Sequence, residues 1–175
     1  MKKQWEPVEL LRHSRHDWLN HIQLIKANLS LNRIDRVNEI IEEISAQSHN
    51  ESKLTNLHIP NVAELLLTFN WNQHPYRLQF EVTGRERELS HFEPDLYAFL
   101  SDLFEWLDQH VDMRAENVVL VIFQLEGDAG FLNVDFSGRL KDAEEWEQAA
   151  FLHKWFPVIE QYVSEEEFVL TLKIG

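Results

Sequence analysis

The sequence contains no cysteine among its 175 residues, which excludes disulfides, thiolate chemistry and thiolate metal sites. It also contains no apolar run near the roughly 20 residues that a membrane-spanning helix requires. The first residues include two lysines but no apolar segment, so they do not have the pattern of a signal peptide. We therefore expect a cytoplasmic protein with no membrane partner.

Basic residues are also scarce, because 16 Lys and Arg stand against 30 Asp and Glu, giving a formal net charge of -14. Residues 1–60 contain eight basic and eight acidic residues, so the acidic excess lies after them. A polyanionic surface repels nucleic acid and anionic lipid, and we expect neither as a partner. A function that handles phosphate is expected in the N-terminal part.

Two amphipathic helices are predicted at the N-terminus, over about residues 8–29 and 33–54, with a tight turn between them. Their apolar residues recur at heptad-like spacing and form a seam on each helix: Leu11, Trp18, Ile22, Ile25 and Leu29, then Ile34, Val37, Ile41 and Ile44. Two antiparallel helices cannot enclose a core, so we expect a dimeric four-helix bundle. The alternative is that the hairpin packs on its own C-terminal domain.

Pro60 and Asn61 mark the start of a second unit, which gives predicted domains of 1–58 and 59–175. A helix capped by Asn61, a strand from Arg77 and a helix opened by Pro94 come first. A hairpin of strands 118–125 and 131–136 with a Gly-Asp-Ala-Gly turn, a helix over 142–156 and a strand over 167–174 follow. The predicted fold class is α+β, a C-terminal α/β sandwich with helices on one face of a mixed sheet.

His16 lies on the side of the first helix away from its seam. At about 100° per residue, His16 falls about 160° from Trp18. Beside it on the same helical wheel lie three cations and a glutamine: Arg12, Arg15, Gln23 and Lys26. A neutral imidazole nitrogen is a good nucleophile toward phosphorus, and phosphoryl transfer needs chiefly in-line positioning and charge stabilisation. The pattern suggests a phosphate role for His16, with Asp17 able to orient the ring.

Two other readings of this segment stay open on geometry alone. An exposed helical histidine is most often an ordinary surface residue. The second alternative is a metal site, because His13, His16 and His21 lie within nine residues. Against it, their directions diverge around the helix and no carboxylate cluster completes a site. The remaining histidines, among them His74, His110 and His153, have no suggestive neighbours in sequence, and the acidic runs 144–147 and 165–167 suggest solvated faces.

Residues 15–20, Arg-His-Asp-Trp-Leu-Asn, followed by Ile-Gln-Leu-Ile at 22–25, resemble the phosphoacceptor helix of the sporulation initiation phosphotransferase B family. Similar helices occur in citrate-type and quorum-sensing sensor histidine kinases. Further segments at 25–31, 35–37, 51–54 and 68–71 resemble the phosphotransferase rather than the kinases. The resemblance is close over residues 10–72 and rests beyond that on the order of elements.

The resemblance implies a homodimer joined through the hairpin and a C-terminal domain shaped like a degenerate histidine-kinase ATPase domain. It makes His16 the phosphoacceptor, with Arg15, Asp17 and Asn20 at flanking motif positions and Leu19 where the family has Met, a volume-conserving exchange. It also implies a donor, a phosphorylated single-domain response regulator, and an acceptor, the receiver domain of a sporulation transcription factor. The protein would need no cofactor of its own, with Mg²⁺ expected in the partner receiver domain.

The sequence itself argues against a nucleotide site. Kinase ATPase domains hold magnesium and phosphates with paired Asn on a helix, where this chain has Asp102 and Trp106. They also need Gly-rich turns for close approach of the backbone, and residues 135–139 offer one Gly of the five in the chain. Two alternatives stay open, an autophosphorylating sensor-kinase fragment and a non-catalytic dimeric scaffold that binds a receiver domain.

Overall fold

The computed structural model describes residues 6–127, 129–149, 152 and 154–175. By its contacts the chain forms two compact units, residues 1–49 and 50–175. The last turn of the second helix belongs with the second unit, because Leu54 is fully buried in its core, as is Leu57 just after the helix. In the described part of the chain, no helix combines the length and the apolar character needed to cross a membrane.

The first unit contains the two predicted helices, α1 (Pro7–Ser30) and the greater part of α2 (Ile34–Thr55). The turn between them is a Schellman motif, in which Arg33 N–H bonds Asn28 O and Asn32 N–H bonds Leu29 O, both at 3.0 Å. Asn32 has φ +54°, a left-handed conformation that asparagine tolerates better than most residues. The polar residues after Ala27 therefore end α1 as predicted.

A single chain leaves most of the predicted seam uncovered. Leu11 is 68% exposed, Trp18 53% and Ile41 46%, whereas Val37 on α2 is buried. Ile40, which the seam prediction did not include, is 1% exposed. Each helix therefore presents a row of large apolar side chains that the isolated chain does not cover.

The second unit is an α+β domain whose five strands form one mixed sheet. Its helices are α3 (Pro60–Thr68) and α4 (Glu93–His110), and its strands are β1 (Arg77–Gly84), β2 (Val118–Glu126), β3 (Ala129–Ser137), β4 (Val158–Val163) and β5 (Glu167–Lys173). The strand order is β1-β2-β3-β5-β4, with β1 and β2 parallel and the other pairs antiparallel. The predicted fold class and the mixed sheet are confirmed.

The core lies between α4 and one face of the sheet. Burial alternates strictly along β2 and β3, as expected for strands with one packed face. The buried residues of α4 and of that face join a single cluster, which includes Leu96, Phe99, Leu100, Leu103, Leu107, Val119, Val121, Phe123, Leu132, Val134, Phe168, Leu170 and Leu172. This rigid layer fixes α4 and the loops at its ends.

Three predictions about the second unit are wrong or incomplete. The helix over 142–156 is a short 3₁₀ segment, Ala143–Gln148, which ends where Ala149 becomes extended. Strand β4 was not predicted. Asn61 is not the cap of α3, since Ile59 precedes Pro60 there without a side-chain cap, and the Asn61 amide bonds Glu93 instead.

Some predicted segments reach residues outside the described ones. These are the N-terminal residues 1–5, Asp128 of the predicted Gly-Asp-Ala-Gly turn, residues 150 and 151 of the predicted helix, and His153. The strands on either side of that turn do pair antiparallel, with Glu126 opposite Ala129. The predicted hairpin is therefore confirmed by its strands.

Candidate functional site

His16 lies near the middle of α1, and its side chain is 71% exposed. Asp17, the next residue, is 51% exposed. Because α1 runs unbroken from Pro7 to Ser30, the backbone under His16 is held by helical hydrogen bonds on both sides. The imidazole therefore projects from a stiff support, as the sequence predicts.

The two ring nitrogens of His16 have different surroundings. Nδ1 lies 3.2 Å from Asp17 Oδ1 and 3.3 Å from Asn20 Nδ2. Nε2 bonds no residue in the described part of the chain. The arrangement holds the ring by one nitrogen and leaves the other open to an incoming electrophile.

The predicted cations near His16 divide into two groups by their position along the helix. Arg12 and Arg15 lie within about 6 Å of His16 along the axis, at 1.5 Å per residue, whereas Lys26 lies about 15 Å away. All three are exposed, and none forms an ion pair within the described residues. On α2, by contrast, Arg36 bonds Glu39 at 2.8 Å and Glu43 at 3.1 Å.

The position of Lys26 changes the role proposed for it. By this spacing Arg12 and Arg15 lie close enough to approach a group attached to the His16 ring, whereas Lys26 does not. Gln23 lies about 10 Å along the axis, so Gln23 and Lys26 both lie beyond the immediate surroundings of the imidazole. Leu19, 51% exposed, is one turn from His16 and offers an apolar contact beside it.

No group of three or more His, Asp and Glu side chains suited to a metal ion occurs among the described residues. His13, His16 and His21 diverge around α1, and the ring of His21 meets the edge of Trp18 at 6.2 Å. Geometry thus favours separate roles for these three histidines.

Two histidine–carboxylate pairs occur in the second unit, at histidines whose sequence neighbours suggest no role. His74 Nδ1 lies 2.9 Å from Asp108 Oδ1, with the ring stacked on Phe69 at 3.9 Å. His110 Nε2 lies 3.0 Å from Glu145 Oε2. Each pair joins residues 34 or 35 positions apart, so only the fold brings them together and no local signal could identify them.

Asp102 and Trp106, at the positions where a kinase needs paired Asn, are engaged by the chain's own aromatic residues. Asp102 Oδ2 accepts a hydrogen bond from Trp155 Nε1 at 3.1 Å, and Lys154 lies 3.7 Å from the same oxygen. Trp106 stacks on His110 with the centroids 4.1 Å apart and meets the edge of the fully buried Trp146. Both side chains therefore have partners within the chain itself.

Known proteins resemble this chain along its whole length. The family model for the Sensor_kinase_SpoOB-type alpha-helical domain matches residues 1–57, and that for the C-terminal part of sporulation initiation phospho-transferase B matches residues 58–175. Sporulation initiation phosphotransferase B of Bacillus subtilis (strain 168) is 43% identical over 139 residues, covering 78% of this chain and 72% of the relative.

Two solved histidine kinases match this chain at 12% identity. The blue-light activated histidine kinase EL346 of Erythrobacter litoralis matches 99% of this chain and 61% of its own, with a TM-score of 0.51. The histidine kinase AdeS of Acinetobacter baumannii matches 91% of this chain and 97% of its own, with a TM-score of 0.48. The family models and the Bacillus relative together establish that the chain belongs to the sporulation initiation phosphotransferase B family.

Proposed function

We propose that His16 carries the phosphoryl group in a sporulation phosphorelay, accepting it from the aspartyl phosphate of one response regulator and giving it to the receiver aspartate of another. The chain's family is one of phosphotransferases in such relays. The observation that carries the assignment to His16 is its exposed Nε2, which has no partner within the described residues, whereas Nδ1 lies within contact distance of Asp17 and Asn20.

The transfer step uses the lone pair of Nε2. This lone pair attacks phosphorus, the N–P bond forms, and the bond from phosphorus to the partner's carboxylate oxygen breaks with its electron pair left on that carboxylate. The ring, which keeps its proton on Nδ1, becomes positively charged. The Asp17 carboxylate at 3.2 Å stabilises this charge, since a hydrogen bond between charged partners is stronger than a neutral one.

Cations on α1 serve the transferring group and the docking partner separately. Arg12 and Arg15 are close enough along the helix to offset charge on a phosphoryl group at His16. Lys26 and Gln23, farther along α1, would contact the acidic surface that surrounds a receiver's active site. The protein needs no cofactor for this chemistry, and the Mg²⁺ that phosphoryl transfer uses would be held by the partner receiver domain.

A homodimer joined through the helical hairpin would cover the apolar rows of α1 and α2. Exposed apolar residues in rows of this length are rare on monomeric proteins and mark interaction surfaces. Packing two hairpins gives a four-helix bundle in which Trp18, Ile22 and Ile41 become buried while His16 stays outside. Each dimer would then present two equivalent phosphoacceptor helices.

The partners would be a phosphorylated single-domain response regulator as donor and the receiver domain of a sporulation transcription factor as acceptor. The acidic charge of residues 61–175 opposes binding to nucleic acid or membrane, and a relay with these partners belongs in the cytoplasm. A sensor-kinase fragment is not favoured, because Asp102 and Trp106 are engaged by Trp155 and His110.

The test is incubation of the protein with a phosphorylated receiver domain, followed by mapping of acid-labile phosphate to a residue. Phosphate on His16 that a second receiver then removes supports the relay. A protein that binds the receiver but never acquires phosphate would be a scaffold instead. Phosphate gained from Mg-ATP without any receiver would restore the kinase interpretation.

A further inference from the structure

The contacts of His16 Nδ1 are chemically incompatible with one another. The Asp17 carboxylate can only accept a hydrogen bond, so it requires a proton on Nδ1. The Asn20 amide turns its nitrogen toward the ring, and in this orientation it can only donate, so it requires a lone pair on the same atom. With the two contacts at 3.2 and 3.3 Å, one nitrogen has two competing partners, and only one can be satisfied at a time.

Each partner selects a different form of the ring. A bond to Asp17 puts the proton on Nδ1 and leaves the lone pair on Nε2, the nitrogen that faces outward. A bond from Asn20 puts the proton on Nε2, where no lone pair is then available to attack phosphorus. The choice made at Nδ1 therefore decides whether the exposed nitrogen is a nucleophile.

We propose that Asn20 is a positioning residue that restrains His16, holding the free ring in its non-nucleophilic tautomer and the phosphorylated ring in its longer-lived neutral form. Asp17 favours the reactive forms, in which Nδ1 carries a proton in both the free ring and the phosphorylated ring. This inference rests on the proposed function of His16 and adds how the reactivity of that site is set.

The same competition acts after phosphorylation. When Nδ1 of the phosphorylated ring carries a proton, the ring leaves phosphorus as a neutral imidazole, which is a good leaving group. When Nδ1 has lost the proton, the ring would have to leave as an anion, which is much harder. A hydrogen bond from Asn20 stabilises this second form, so it slows loss of the phosphoryl group to water between encounters with receivers.

The direct measurement is the tautomer ratio of His16, from long-range ¹H–¹⁵N correlation of imidazole-labelled dimer at a pH above the titration range of imidazole. No phosphoryl donor is needed, and a His16→Ala spectrum identifies the signals. Asn20→Ala should raise the ratio of Nδ1–H to Nε2–H about fivefold, equivalent to about 1 kcal/mol. Asp17→Ala should lower it, and Asn38→Ala, an exposed asparagine on α2, should leave it unchanged.

The second measurement is the lifetime of phosphate on His16 after the donor is removed. Asn20→Ala should shorten it about fivefold relative to wild type, and Asn38→Ala should not. A tautomer ratio that Asn20→Ala leaves unchanged would overturn the inference while leaving His16 as phosphoacceptor intact. Phosphate mapped to another residue would instead overturn the proposed function, and the tautomer measurement would still report on Asn20.

Discussion

The side-chain amide of Asn70 binds both backbone groups of Leu78. Asn70 Oδ1 accepts from Leu78 N–H at 3.0 Å, and Asn70 Nδ2 donates to Leu78 C=O at 2.7 Å. Strand β1 is at the edge of the sheet, and Asn50 bonds Phe80 C=O and Val82 N–H farther along the same edge. Two asparagine side chains thus bond backbone N–H and C=O groups on the outer edge of β1, as a neighbouring strand would. These hydrogen bonds block pairing of β1 with another chain.

Asn70→Ala should destabilise the second unit by about 1–2 kcal/mol, because it removes both hydrogen bonds from Leu78. The matched control is Asn72→Ala, two residues away, where the side chain is exposed. This variant should change stability by less than roughly 0.5 kcal/mol. Urea unfolding followed by circular dichroism measures both. Equal midpoints for the two variants would mean that water replaces the amide without cost.

The elements that the sequence predicts correctly are those with a clear local pattern of apolar and polar residues. Heptad-like spacing predicted α1 and α2, alternation predicted β1, and the Gly-Asp-Ala-Gly turn predicted the hairpin of β2 and β3. The same periodicity predicted that His16 is exposed, since His16 lies on the side of the helix away from the apolar seam. Polar residues at the end of an apolar pattern predicted a tight turn, which the structure shows to be a Schellman motif with Asn32 in the left-handed conformation.

The segment after β3 was misread because its buried residues do not follow a helical period. Trp146, Leu152 and Phe156 are all buried, but the helical part of the described segment is only the 3₁₀ turn Ala143–Gln148. Strand β4 was missed since it is an edge strand whose central residues are all exposed, which gives no alternation. The contact of Asp17 and Asn20 at one nitrogen depends on side-chain rotamers, which a helical wheel does not contain.

Asp135→Asn should stabilise the second unit at neutral pH. Asp135 stands between Leu120 on β2 and Val169 on β5, and partial burial raises the pKa of its carboxyl above the usual value. A raised folded-state pKa means that ionisation costs the folded state more than the unfolded chain, so this penalty is present above the folded pKa. It disappears as the pH falls through that pKa.

The stability of wild type and Asp135→Asn should therefore converge on acidification and diverge toward neutral pH. Chemical denaturation at a series of pH values measures the difference. Glu81→Gln, an exposed carboxylate on β1, serves as the control and should show a smaller pH-dependent difference. A constant gap across the series would show that the effect of Asp135→Asn is one of packing.

Ile41→Glu should dissociate the proposed dimer. Ile41 is 46% exposed in a single chain, so a monomer tolerates a glutamate at this position. In the four-helix bundle the glutamate carboxylate would be buried without a partner. Ala46→Glu, about 140° round α2 from Ile41, places the same charge away from the seam and should leave the dimer intact. Light scattering with size-exclusion chromatography distinguishes the two, and a dimeric Ile41→Glu protein would place the interface elsewhere.

Millimolar Mg-ATP should not raise the melting temperature. A ligand stabilises only by binding the native state, and the side chains of Asp102 and Trp106 are already engaged by Trp155 and His110. Magnesium sulfate at matched ionic strength is the control in a thermal melt. A rise of several degrees with Mg-ATP alone would mean that these contacts open to admit nucleotide.

His16→Ala should abolish transfer in both directions without changing the fold. The side chain is 71% exposed, and exposed substitutions usually alter stability by less than roughly 0.5 kcal/mol, so the circular-dichroism melt and the dimer mass should match wild type. His13→Ala and His21→Ala should retain transfer within roughly tenfold, the loss expected from about 1.4 kcal/mol of disturbed positioning. His21 is the more sensitive of these controls, because its ring meets Trp18 on the seam. Phosphate accepted by His16→Ala from a phosphorylated receiver would contradict the assignment, since the helix places no other imidazole where a partner docked on His16 could reach it.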